Sequence, residues 1–311
     1  QPMLEDADGN LWLRFGGLPH LARLDPAGNI TRSGERHGLD PLADPITALV
    51  DREGGLWFGT TLGLYRYRGE AIDGLNLRTD DGDEIEVSSV YEARDRTKWL
   101  VTRDARLAVL RRDGELTEFS ALDESGFLAL RPELSRTAAG APWSGRPKVV
   151  SAYTAFREDR AGRLWIGTNM GLVAVHADGH LVIYTARFDN EHPGEIDGAI
   201  NDILVEDEGL WLATSRGLVR FEGDRQVRVW GSADGIDAPI LTLLRGRDGA
   251  LWIGTRDAVL RFVGDRVEPV AGLDPLGQAR ALHEDAEGRL WIGTYDSGLF
   301  RRLSDGTIEH V

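Results

Sequence analysis

A tryptophan set in a short apolar run recurs seven times along this 311-residue chain. The runs are Leu11-Trp12-Leu13, Leu56-Trp57-Phe58-Gly59-Thr60, Trp99-Leu100-Val101-Thr102, Leu164-Trp165-Ile166-Gly167-Thr168, Leu210-Trp211-Leu212-Ala213-Thr214, Leu251-Trp252-Ile253-Gly254-Thr255 and Leu290-Trp291-Ile292-Gly293-Thr294. Successive tryptophans stand 45, 42, 66, 46, 41 and 39 residues apart, so six intervals hold one unit each and the third also holds an insertion. A fixed period of this size marks one supersecondary unit copied along the chain, which buries its apolar face only by stacking on its neighbours.

Each copy has the same internal punctuation. An apolar run ends in an acidic turn (Val50-Asp51, Val205-Glu206-Asp207, His283-Glu284-Asp285), and the tryptophan strand follows a glycine-containing turn. A second turn leads into Gly63-Leu64-Tyr65-Arg66, Gly171-Leu172-Val173, Gly217-Leu218-Val219-Arg220 or Gly298-Leu299-Phe300-Arg301. Hairpin pairs such as Asp113-Gly114, Gly223-Asp224, Gly264-Asp265 and Asp305-Gly306 come next, and they supply the positive φ that tight hairpins require. Nothing sustains a helical period between turns spaced so closely.

The reading is therefore all-β: a seven-bladed β-propeller with four antiparallel strands per blade. The blades are expected at roughly 1–35, 44–80, 85–120, 150–188, 199–231, 239–271 and 278–311, with the insertion at 121–149. Trp57 and Gly59 alternate on one face of a strand, where a ring beside a missing side chain lets twisted sheets interlock. The repeated tryptophan is thus core. The chain starts in a first strand and stops in a fourth, so ring closure is expected to rest on packing between sheets and not on an exchanged strand.

Composition narrows the function. With 36 basic and 51 acidic residues the net charge is −15, a field that repels phosphate backbones and anionic lipid, so no nucleic acid partner is expected. Cysteine is absent, which excludes disulfides and thiolate sites. No stretch approaches the ~20 apolar residues of a membrane-spanning helix. The opening Gln1-Pro2-Met3 has neither a basic n-region nor an apolar h-region, so an export signal is expected to lie outside this sequence.

The string Asp-x-x-Gly-x-Leu-Trp-Ile-Gly-Thr-x-x-Gly-Leu-x-Arg, carried by Asp159 to Val173 and Asp285 to Arg301, resembles the two-component regulator propeller repeat. Unit one lacks the Gly-Thr, unit three has Arg94-Asp95-Arg96-Thr97-Lys98 in place of the usual turn, and unit six has Ala258 where glycine is usual. The resemblance implies a periplasmic sensor region of a membrane-bound histidine kinase or diguanylate cyclase. It also implies neighbouring signalling modules that this sequence does not contain, and a homodimer in the full-length context. It implies no enzyme activity and no cofactor. Two other readings stand beside it: a lyase or hydrolase like the seven-bladed streptogramin lyase, which shares the Asp8-Gly9-Asn10-Leu11-Trp12 style of turn, and a protein-interaction scaffold. The repeated Asp, Gly and Trp also resemble the Asp-box hairpins of sialidases, which stabilise a turn and do no chemistry.

Propeller topology collects the turns between second and third strands, with the connectors between blades, on one face, and a ligand is expected there. The turns carry Thr61, Arg103, Asp104, Arg106, Asn169, Met170, Ser215, Arg216, Arg256, Asp257, Tyr295 and Asp296. The connectors add Trp143, Arg146, His192, Glu195 and Asp237. Asn201, Asp202 and Arg280, with Tyr153 and Thr154 in the matching place, begin innermost strands beside that face. Arginines over an acidic body favour a small anionic or polyhydroxy ligand such as an oligosaccharide, and Trp143 could stack on a sugar. No metal is expected: the acidic run 79–84 lacks the spacing of a calcium loop, and His176 with His180 lacks a third ligand. His283, in an innermost strand, is expected to be packed.

Overall fold

A computed structural model describes residues 2–14, 21–33, 38–68, 71–75, 77, 85–103, 107–112, 116–119, 135–137, 153–169, 171–176, 181–185, 198–223, 225–273 and 276–311. The described residues form seven sheets, each with its four sequential strands in spatial order. The first strands are Pro2–Glu5, Pro45–Val50, Val87–Glu92, Tyr153–Glu158, Ile200–Glu206, Ile240–Arg245 and Ala279–Glu284. Neighbouring strands within these sets of four are antiparallel, and none is exchanged between sheets. In the fourth sheet Ser135–Thr137, from the insertion, adds a fifth strand parallel to the outermost one. A single 3-10 turn, Ser232–Asp234, is the one helical element among the described residues.

The chain divides into two compact units, Gln1–Ala129 with three sheets and Leu130–Val311 with four. Within each unit one rule governs packing. The tryptophan points at the following sheet, and the residue after it points at the preceding one. Trp57 packs with Val87, Val90 and Leu100 of the third sheet, whereas Phe58 packs with Trp12 and Leu21 of the first. Likewise Trp165 meets Ile200, Ile203 and Leu212, Trp211 meets Ile240 and Ile253, and Trp252 meets Ala279 and Ile292. The glycine two places after the tryptophan lets the next sheet close in: a Cβ on Gly59 would lie 2.7 Å from the Val87 carbonyl oxygen, and one on Gly254 2.9 Å from that of Ala279.

Directly across the sheet from the tryptophan stands an arginine in most repeats: Arg66 opposite Trp57, Arg220 opposite Trp211, Arg261 opposite Trp252 and Arg301 opposite Trp291. Each guanidinium lies over its indole, at 4.9, 5.0, 5.6 and 5.2 Å from the ring centroid. Such cation–π contacts favour arginine, and they account for part of its share of the basic residues.

The acidic turn locks the first hairpin of five repeats. Asp51 Oδ1 accepts from the Glu53 and Gly55 amides and its Oδ2 from the Trp57 indole at 2.7 Å. Asp6, Asp159 and Asp285 do the same for Trp12, Trp165 and Trp291, and Glu206 serves Trp211. Burial pushes the Asp51 and Asp159 carboxyls up, but the indole and amide donors outweigh it, so both sit below the ordinary aspartate range. Unit three has Ala93 in the acidic place, and Arg96 takes the left-handed conformation (φ +72°) that Gly54 takes in unit two (φ +81°).

One expectation fails here. His283 is exposed, not packed, and Trp291 beside it is half-buried while the other six repeat tryptophans are buried.

Candidate functional site

The site face is built from two devices repeated in sheet after sheet. The threonine ending a second strand turns its hydroxyl back on the residue that resumes the sheet: Thr60 to the Gly63 carbonyl, Thr168 to Gly171, Thr214 to Gly217, Thr255 to Ala258 and Thr294 to Gly298, all at 2.8–3.0 Å. The next residue then donates its amide to the connector entering the same sheet. Thr61 bonds the Asp44 carbonyl, Arg103 Glu86, Ser215 Ala199, Arg256 Pro239 and Tyr295 Gln278, at 3.0–3.2 Å. Turn and connector are thereby one rim, as the topology required.

Every first strand also carries a β-bulge at its second residue: Met3, Ile46, Ser88, Thr154, Asn201, Leu241 and Arg280. Bulges re-aim side chains and are over-represented beside active sites. They place Thr154, Asn201 and Arg280 at matching positions, as the register from sequence had it.

In the second unit the rim is continuous over the fifth, sixth and seventh sheets. Asn201 Nδ2 donates to the Ile240 carbonyl at 2.6 Å. Arg256 bonds Pro239, the Leu276 amide bonds the Asp257 carbonyl at 3.2 Å, and Tyr295 bonds Gln278. Arg216, Arg256, Asp257, Tyr295 and Asp296 are exposed along this line, and Asn169 is half-buried in the fourth-sheet turn. Arg103 lies in the first unit, where it pairs with Glu86 at 3.1 Å. Asp104, Trp143 and Arg146 lie outside the described residues, as do Arg106, Met170, His180, His192 and Glu195 and the whole acidic run at 79–84.

Asp202 has a different task from the one its position suggested. Its Oδ1 accepts from Arg157 at 2.9 Å and its Oδ2 from the Leu243 amide at 3.0 Å and the Thr242 hydroxyl at 3.3 Å. It staples three neighbouring first strands and has little capacity left for a ligand. Sequence reasoning missed Gln278, whose carbonyl anchors Tyr295 and whose side-chain oxygen accepts from Arg280 Nη2 at 2.7 Å. A comparison of connectors at two residues before each bulge would have found it.

At the opposite end of the strands, a cleft of about 210 Å³ separates the first turns of the fourth and fifth sheets. Its walls are already paired, Arg160 with Asp207 and Arg163 with Asp159. Among the described residues no group of three or more His, Asp or Glu side chains could hold a metal ion. No helix of the described residues is long and apolar enough to cross a membrane.

Residues 149–170 and 274–296 match the family model described as two component regulator propeller. No curated protein matches the sequence. Among solved structures, the extracellular domain of the hybrid two component system BT3049 from B. thetaiotaomicron is similar over 97% of this chain, with 21% identity and a TM-score of 0.62; the chain spans 38% of that domain. A streptogramin B lyase is similar over 96% of this chain and 92% of its own, with 13% identity and a TM-score of 0.59. PorZ, a surface component of the type-IX secretion system of Porphyromonas gingivalis, is similar over 97% of this chain and 51% of its own, with 14% identity and a TM-score of 0.58. At these identities the likeness is one of fold. Two segments of the chain thus match the two component regulator propeller repeat, and its described residues form an all-β architecture of sheets built from four antiparallel strands.

Proposed function

We propose that this chain is the extracytoplasmic, periplasmic sensor propeller of a membrane-bound signalling protein, its seven sheets forming the blades, and that it binds a small molecule or oligosaccharide on the rim without catalysing a reaction. The observation that carries this reading is the rim itself. Five second-to-third turns make the same backbone bond to their own connector, yet hold Thr61, Arg103, Ser215, Arg256 and Tyr295. Constant geometry with varied chemistry is the arrangement of a binding surface on a rigid scaffold. The repeat family and the extracellular two component neighbour support the setting.

The rim also suggests how binding is transmitted. A ligand that touches the turn of one sheet and the connector to the next biases the angle between sheets, and signalling follows as a population shift in a dimer of the full-length protein. The shift is limited by the ligand's differential affinity for the two arrangements, about 5.5 kcal/mol for a full 1:99 to 99:1 change. A thermal-shift screen with acidic and neutral oligosaccharides tests the reading. A ligand at 100 times its Kd stabilises the native state by about 2.7 kcal/mol, and rim substitutions should abolish the rise in Tm. Turnover of an offered sugar, or the absence of any shift alongside stoichiometric capture of a protein partner, overturns it.

A further inference from the structure

We propose, resting on the rim reading above, that the stretch of rim shared by the sixth and seventh sheets recognises a sugar acid, that is, a pyranose bearing a carboxylate, with Tyr295 as the platform and Arg280 as the carboxylate anchor. The elements are held close together. Leu276 is bonded to the sixth-sheet turn at Asp257 and Gln278 to the seventh-sheet turn at Tyr295. Two residues of extended chain span at most about 7 Å, so both turns border one small patch.

Tyr295 is three-quarters exposed, unusual for so large a ring on a backbone anchored on both sides. The Arg280 guanidinium stands 5.8 Å from the centre of that ring. Arg280 is the bulged residue of its strand, is itself exposed, and makes its side-chain hydrogen bond to the neutral amide oxygen of Gln278. It has no carboxylate partner among the described residues, whereas the rim guanidinium of Arg103 and the nearby one of Arg157 are each paired, with Glu86 and Asp202. Asp257 and Asp296 are exposed on the two turns that flank it.

This mixture selects its ligand class. A ligand of phosphate type would set several negative charges against Asp257 and Asp296. A neutral apolar ring would cover the guanidinium without giving it an acceptor, which is unfavourable. A sugar acid satisfies each group: its C–H face rests on the tyrosine ring, its carboxylate takes a charge-assisted bond from Arg280, and its hydroxyls donate to the aspartates.

Calorimetric titration of the whole chain with digalacturonate, with the neutral disaccharide of the same linkage and with free glutamate tests the assignment, using Arg280→Ala, Tyr295→Ala and, as a distant exposed control, Arg266→Ala. Digalacturonate should bind at least tenfold tighter than its neutral counterpart. Arg280→Ala and Tyr295→Ala should each weaken it roughly ten- to hundredfold, Arg266→Ala should leave it unchanged, and ligand-free melting should be the same for all four proteins. Equal binding of the acidic and neutral sugars, or preference for glutamate, overturns the sugar-acid assignment; if Tyr295→Ala still weakens that binding, the rim reading survives. Binding of any of the three that neither rim variant alters, or no binding of digalacturonate, overturns the assignment, and the first of these also counts against the rim.

Discussion

Lys98 is one of two lysines in the chain, and it is 7% exposed. Its ammonium lies 3.3 Å from Glu92 and 3.6 Å from Asp51, carboxylates that are themselves 5% and 3% exposed, and 4.6 Å above the Trp57 ring. Lys98→Met keeps most of the stem and removes the charge, leaving two buried carboxylates facing each other. Breaking a buried pair in this way costs about 3–5 kcal/mol. Some compensation remains, because Arg66 and Arg52 each approach one carboxylate at 4.0 Å and Glu92 keeps the Arg52 amide at 2.8 Å. The expected loss is therefore at the low end, about 3 kcal/mol. With a urea m-value of about 2 kcal/mol/M the midpoint should fall by about 1.5 M, followed through tryptophan fluorescence. A loss under about 1 kcal/mol would refute the buried triad.

Gly59→Ala and Gly254→Ala should each cost about 1–3 kcal/mol by forcing neighbouring sheets apart. For Gly293 the nearest atoms are its own sheet's Ala281, the Cβ at 3.4 Å, so Gly293→Ala should cost clearly less than Gly254→Ala; an equal loss in urea unfolding would refute this reading of the glycine. Asp159→Ala strands the Trp165 indole, which is 1% exposed, together with the Arg163 amide, and should cost about 1–3 kcal/mol. The carboxyls of Asp6, Asp51, Asp159, Glu206 and Asp285 are pushed up by burial and brought down further by indole and other donors, to a net position below their ordinary values. Because folded values lie below unfolded ones, their contribution is complete above about pH 5 and is lost as pH falls through the folded values; circular dichroism should show stability level from pH 5 to 7 and falling below about pH 4, and stability that rises on acidification would contradict these turns.

What was legible in the sequence was whatever every repeat must satisfy alone. A tryptophan followed two places later by glycine announces a sheet that takes another sheet on that face, and Asp51 or Asp285 six places earlier is a partner within the same hairpin, so neither needs knowledge of distant contacts. The arginines over the indoles were harder to see, because their abundance reads as residue usage until the register sets Arg66 opposite Trp57 and Arg220 opposite Trp211. The pairing of Asp202 is hidden from sequence for a related reason: Arg157 and Leu243 lie 45 and 41 residues away, and only stacked first strands bring both to one carboxylate. His283 is exposed because packing is not the same in every repeat: Trp291 beside it is half-buried where the other six repeat tryptophans are buried. The bulge has the opposite logic. Its position is the same in all seven first strands, while its residue runs from Met3, Ile46 and Leu241 to Ser88, Asn201 and Arg280. A side chain that leaves the pleat is released from the sheet-to-sheet packing that constrains its neighbours, so its chemistry is free to vary while its place is not, and that freedom is what makes Arg280 a better candidate for recognition than the more buried Asp202 next to an equivalent bulge.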